Sequence, residues 1–350
     1  MTGIHARLLN VLLVPFVANA AFAVENVTSG PQTDYQASVI RSSDDGARIV
    51  VFERLDGSLS GDLLLTRSTD DGATWSEPVA AISSGSNERH PALLQLATES
   101  YVLFYLKGAA AASSFRIWRA SSTDGIQFTE VAALDLGWAT GGEINPHVIR
   151  HGDGTLTMSY QRIGTSAGIY VAQSPDDGVT WDQQQTALAP SGALPRIAYR
   201  ESDGLYLASY QVNPGNNQLQ MLVKTSTDPH DWSGSPQDFA VAGNNHDSLP
   251  VVMPDDAFAM FWIRANGSGF DLAARRSLDG IAWDPAITIT DTPTEDDVEP
   301  HPLVTSASTV ELYWGRSLGG LDYDIVREPE VVLFSEPPLF ADGFELPDAP

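Results

Sequence analysis

The sequence predicts an all-β protein: a six-bladed β-propeller in which each blade is a sheet of four short antiparallel strands. Three observations predict it. An aspartate-centred turn recurs at near-constant spacing, an apolar two-strand hairpin alternates with that turn six times, and helical periodicity is almost absent.

The chain opens "MTGIHARLLNVLLVPFVANAAFAVEN". Arg7 supplies a positive start, residues 8–18 are mostly apolar, and Ala21-Phe22-Ala23 has the small-x-small form of a cleavage site. This predicts a signal peptide over 1–23, cut after Ala23, and a secreted or periplasmic protein with no membrane attachment afterwards. A membrane anchor needs about twenty apolar residues, more than this run offers.

Residues 24–335 form the propeller. A weak first hairpin, "QASVIRSSDDGARIVVFER", starts at Gln36, and stronger copies start at His90, Asn145, Leu194, Leu249 and His301. Each reads as two apolar strands about a short polar turn, with Asp-Gly marking several turns. Between the hairpins lie "STDDGATW" (68–75), "STDGIQF" (122–128), "SPDDGVTW" (174–181), "STDPHDW" (226–232) and "SLDGIAW" (277–283). Their aspartates, Asp70, Asp124, Asp176, Asp228 and Asp279, are 54, 52, 52 and 51 residues apart. Strand-like runs such as "GDLLLTR" and "EPVAAI" flank them. Four strands in about fifty residues make one propeller blade.

The chemistry of the repeat is that of a turn. Ser68 and Asp70 can bond turn backbone, Gly72 can take positive φ, and Trp75 offers a large apolar face; Ser174, Asp176, Gly178 and Trp181 repeat the set, and Trp283 returns in the last copy. The sixth blade carries "LDYDIVREPEVVLF" instead, so its outer half is expected to be atypical. Residues 336–350, "EPPLFADGFELPDAP", form an acidic, proline-rich tail.

Of 350 residues 43% are hydrophobic, enough for a large core, and 45 acids against 19 bases leave a net charge of −26. Such a surface repels phosphates, which excludes nucleic acid and anionic membranes as partners. With no cysteine, the core holds the fold without disulfides. Four of the seven histidines (His90, His147, His246, His301) stand at hairpin entries. They come from different blades with no short ligand spacing, so they read as rim hydrogen-bonding groups, with no metal and no cofactor.

The form Ser-x-Asp-x-Gly-x-Thr-Trp, together with the spacing, resembles the sialidase-like BNR, or Asp-box, family of six-bladed propellers over residues 35–335. The resemblance implies that each Asp box joins the third and fourth strands of a blade, and that a ligand binds on the opposite, axial face. It implies too what a sialidase needs: three arginines for the sugar carboxylate, a Tyr nucleophile with a Glu base, and an Asp acid. The first arginine belongs in a "YRIP"-like start to blade one, and here "YQAS" places Gln36 there. Gln offers no charge-assisted clamp. Asp56 or Asp62 are candidates for the acid, Tyr160 and Tyr210 for the nucleophile, and Glu143 for a catalytic carboxylate, but no motif sets a Glu beside either tyrosine.

Aligning the hairpins on their prolines puts Asp34, Glu88, Glu143, Gly192, Asp247 and Glu299 at the axial rim. The second strands end in Arg54, Lys107, Arg162, Val212, Arg264 and Arg316. The alignment predicts five ion pairs within blades and a gap at blade four, where Arg196 has no carboxylate partner in its own hairpin. A carbohydrate or other polar small ligand is then expected off-centre towards blades three to five, near Arg162, Arg196, Arg264, His147, His246, Asp247 and Trp262. The function expected is that of a secreted, monomeric, sialidase-like propeller acting on or binding glycans without ordinary exo-sialidase activity. The alternative is a non-catalytic polysaccharide- or protein-binding propeller.

Overall fold

The computed structural model describes residues 24–333, apart from 59, 110, 216–217, 240–242, 268, 318 and 321. The expected signal peptide and tail lie outside these residues.

Six antiparallel sheets of four strands follow one another around an axis. Blade one holds Thr33–Arg41, Arg48–Leu55, Gly61–Ser68 and Val79–Ile82 from the axis outwards, and blades two to five repeat that order. Blade six is built from both ends of the described chain: Asp296–Val304, Thr309–Ser317 and Tyr323–Val332 take Glu25–Asn26 as their outermost strand. The atypical sequence of blade six is thus where the ring closes. Glu25 pairs with Arg327, and the N–H groups of Val27 and Thr28 both donate to the Ile325 carbonyl. The one helical element among the described residues is a single 3-10 turn, Ala112–Ser114.

The middle strands read as unbroken apolar runs because both their faces are covered. In blade one, Val50 and Phe52 pack on blade six with Tyr313 and Ile325, while Ile49 and Val51 pack on blade two with Leu103 and Tyr105. Six such clusters, one at each blade–blade interface, make up the core. Side chains alternate from face to face along each strand, so one strand feeds two interfaces.

The repeated aspartate turns join third and fourth strands, at the end of each blade away from the axial rim. In the first, Ser68 Oγ accepts the Gly72 N–H at 2.7 Å and donates to Asp70, while Asp70 accepts from the Thr74 N–H and hydroxyl at 2.9 and 2.6 Å. Ser174 and Asp176 make the same set. Their glycines have φ of 85° and 78°. These turns also latch neighbouring blades. A Cβ on Gly178 would overlap Phe104 of blade two, one on Gly125 would meet Ile49 of blade one at 2.7 Å, and one on Gly280 would meet Leu207 of blade four at 2.7 Å. Trp181 packs edge-on against Phe104, Trp75 against Tyr313, and Trp283 against Phe239, each on the preceding blade.

Each innermost strand carries a bulge. Its first residue has positive φ: Gln36 (46°), His90 (52°), Asn145 (54°), Leu194 (47°), Asp247 (50°) and Glu299 (57°). Pairing register slips there in all six blades. None of the six is glycine, so local strain is held at the axial rim, where bulges re-aim side chains. Side chains of the preceding blade take two of the freed N–H groups: Glu53 that of His90, and Gln211 that of Asp247, the latter at 3.0 Å.

The bulges correct the proline alignment in blades five and six. Asp247 and Glu299 share a register with Gln36 and His90, and the positions equivalent to Asp34 and Glu88 belong to Asn245 and Asp297. Blade six has prolines at both 300 and 302, and only Pro300 follows the bulge residue; blade five has Ser248 there. The ion pair within a blade accordingly occurs four times: Asp34–Arg54 at 2.6 Å, Glu88–Lys107 at 3.7 Å, Glu143–Arg162 at 3.4 Å and Asp297–Arg316 at 2.7 Å. Blade four has none, as expected. In blade five Asn245 stands opposite Arg264 and accepts from Trp262 Nε1 at 3.0 Å.

Candidate functional site at the axial mouth

The six innermost strands enclose a cavity of about 470 Å³ along the propeller axis. Four bulge residues, Gln36, His90, Asp247 and Glu299, line its mouth, with His147, Arg196 and His301 two residues further along their strands. The bulges are why these side chains meet: they turn consecutive residues of one strand away from simple alternation.

Two carboxyl groups dominate. Glu299 Oε1 accepts from the Tyr35 hydroxyl at 2.9 Å and from Gln36 Nε2 at 3.1 Å, and the Asp247 carboxyl stands beside it. Asp247 Oδ1 receives Arg196 at 3.4 Å from blade four. Burial first, and the Asp247 charge second, push Glu299 well above the usual carboxylate range and so favour its neutral form. Arg196 therefore has a carboxylate partner, although from the neighbouring blade. Blade one adds a third carboxyl: Glu53, fully buried, accepts from Arg89 Nε at 2.8 Å and is raised by burial to about 7.

The histidines at the mouth are neutral bases and donors. Burial, then the nearby arginine charges, lower His90 and His147 well below the usual range and His301 to about 4. His147 Nδ1 accepts the Ile197 N–H at 3.2 Å, and the His301 ring bonds backbone of blade one at Ala37 and Val39. Among the described residues no three His, Asp or Glu side chains are gathered so as to hold a metal ion.

Of the ligand residues expected from sequence, Arg196, His147 and Asp247 line the cavity; Arg162, Arg264, His246 and Trp262 do not. Arg162 is 1% exposed and lies 4.2 Å from the Trp138 ring beside Glu143. Trp262 is fully buried on Phe239, and His246 packs edge-on against Phe270. Of the catalytic candidates, Tyr160 is buried and accepts from Trp138 Nε1, Tyr210 is buried between blades three and four, and Glu143 is held in its rim ion pair. Asp62 faces Arg54 across blade one, and Asp56 caps its own turn at Ser58 and Ser60. Sequence reasoning missed Tyr35 and the meeting of Glu299 with Asp247. The usable signal was the residue preceding each proline, which marks the bulge in four of the six blades.

Residues 60–324 match the family model described as a BNR repeat-like domain. The chain belongs to that family. In this BNR repeat-like chain the propeller is shared with solved structures at low identity. One is a protein of unknown function from Dyadobacter fermentans, with TM-score 0.67 and 15% identity over 87% of this chain and 96% of that one. Another is a Hadza microbial sialidase, with TM-score 0.64 and 15% identity over 84% of this chain and 65% of that one. A third is Penicillium chrysogenum α-L-arabinanase complexed with arabinobiose, with TM-score 0.65 and 14% identity over 89% and 98%. The chain thus spans less than two thirds of the sialidase and nearly all of the arabinanase, and at these identities the shared property is the fold. Comparison with curated proteins finds no match. No helix among the described residues is long and apolar enough to cross a membrane.

Proposed function

We propose that this protein is a secreted propeller that recognises a glycan at the axial mouth of its channel, and that it lacks ordinary exo-sialidase activity. One observation carries the reading: among the described residues, the arginine beside the bulges is already engaged, and the other arginine of the cavity wall, Arg150, stands at the opposite end of its strand. Gln36 stands at the place of the first arginine and donates to Glu299, while Arg196 is already engaged by Asp247. Just behind the mouth, Arg89 is engaged by Glu53. What remains open is a cavity of mixed apolar and polar wall whose mouth carries a carboxyl pair and neutral histidines, a set suited to sugar hydroxyls and amides. The relatives named as a sialidase and an arabinanase support a glycan ligand.

A catalytic reading is favoured by one contact, the 2.9 Å approach of Tyr35 to Glu299, which sets a phenol against a carboxyl group. A glycan array with the full chain tests recognition, and release of 4-methylumbelliferone from its sialic-acid conjugate tests the chemistry. The array should show selective binding and the release should stay at background, in Gln36→Arg as well, because an arginine there meets Glu299 and Asp247 before any ligand. Robust release by the unmodified protein overturns the reading.

A further inference from the structure

Acceptors outnumber donors at the channel mouth. The Asp247–Glu299 pair is served by the Tyr35 hydroxyl, Gln36 Nε2 and Arg196. Arg196 also gives a bond to its neighbour's carbonyl at Pro195. The other atom of the Gln36 amide, Oε1, is buried with no hydrogen-bond partner. Charge is unbalanced in the same place: two carboxyl groups face one guanidinium. The neutral histidines His90, His147 and His301 bring no further positive charge.

A ligand group that satisfies this site needs several N–H donors in a small volume and one positive charge. A hydroxyl brings one donor and no charge. A primary ammonium brings three donors and the charge. The net charge of −26 also draws cations towards the protein.

We propose that Asp247, Glu299 and Gln36 Oε1 form a receptor for the ammonium of an amino sugar. The sugar part of this inference rests on the glycan reading above, while the ammonium part rests on the site alone. The groups that act on Glu299 are Asp247 and Arg196 directly, with Tyr35, Glu53, His246 and Tyr323 around them. Of these Glu299 is the group whose neutral form burial favours, so a bound ammonium should displace its proton.

Isothermal titration of the full chain with the glucosamine trimer tests this, at about pH 6 where the amines are protonated. The fully N-acetylated trimer is the neutral control, and two buffers of different ionisation enthalpy count protons. The glucosamine trimer should bind at least about tenfold more tightly than the control, with about one proton released per ligand. Glu299→Gln mimics the protonated acid, so it should keep the melting temperature, lose about tenfold or more in affinity, and release no proton. If that variant unfolds, Asp247→Asn replaces it, with the same loss of affinity expected. Equal affinity for the two trimers, binding without proton release, or no binding of the glucosamine trimer overturns the ammonium receptor. Equal affinity leaves glycan recognition standing, whereas an empty glycan array removes that reading separately.

Discussion

Glu53 lies fully buried between blades one and two, held by Arg89 and the His90 N–H, yet burial raises its carboxyl from 4.5 to about 7. Between those values the folded chain keeps a proton that the unfolded chain has released. Its contribution to stability is therefore complete below about pH 4.5 and lost as pH rises through about 7. Glu53→Gln fixes the neutral form, so the decline of melting temperature from pH 4.5 to 7 should be shallower in the variant, by about 2–4 °C over that range. A decline as steep as in the unmodified protein counts against the shift. The aspartates of the turns act in the opposite sense. Hydrogen bonds from Thr74 lower Asp70 to about 2, and those from Thr180 lower Asp176. Their stabilisation is present at neutral pH and is lost as pH falls through the lowered values. Asp70 was legible as a turn residue because its partners lie within six residues of it. The Tyr35–Glu299 contact was not, since it joins residues 264 positions apart and exists only where the ring brings blade six to blade one.

The turn, rather than the strand, is the element that makes these blades a ring. Its serine and aspartate satisfy its own backbone, and its glycine and tryptophan reach the preceding blade. Gly178→Ala should show both demands. The residue has φ of 78°, and the added methyl would overlap Phe104. The expected cost is about 2–4 kcal/mol in denaturant unfolding. Ser68→Ala separates the local role: it should cost about 1–2 kcal/mol by stranding the Gly72 N–H, without disturbing the packing of Trp75. A Gly178→Ala variant as stable as the parent would show that neighbouring blades adjust freely at the latch. The sequence pattern revealed these turns and their positive-φ glycines. It did not reveal the latch, because the partner residues on the preceding blade carry no motif.

At the scale of the whole molecule, closure rests on a two-residue strand. Glu25–Asn26 pairs with blade six, Arg327 binds Glu25 at 2.7 Å, and Val27 and Thr28 continue the contact. Arg48 adds a second tie between the first and last blades through Glu311. Deleting residues 24–28 removes the outermost strand of blade six and exposes its edge. The truncated protein should melt several degrees lower, and should do so in a broader transition as blade six separates from the rest. An unchanged, equally sharp transition would mean that the Arg48–Glu311 tie and the apolar interface suffice for closure.

Fold class, blade number, strand order within a blade and the turns all follow from local patterns repeated every fifty residues or so, and such patterns are written in neighbouring residues. Gln36 at the arginine place and the missing ion pair of blade four were readable for the same reason. The register of blades five and six was not, because a bulge shifts pairing by an amount that depends on which residue accepts positive φ, and two prolines competed as markers. Nor was the make-up of the mouth. Whether Asp247 faces Arg264 or Arg196, and whether Glu299 faces Arg316 or Tyr35, depends on the bulge and on contacts between blades some fifty to two hundred and sixty residues apart. Those contacts come into being only when the ring closes, and burial at that point sets the charge state of the groups it brings together.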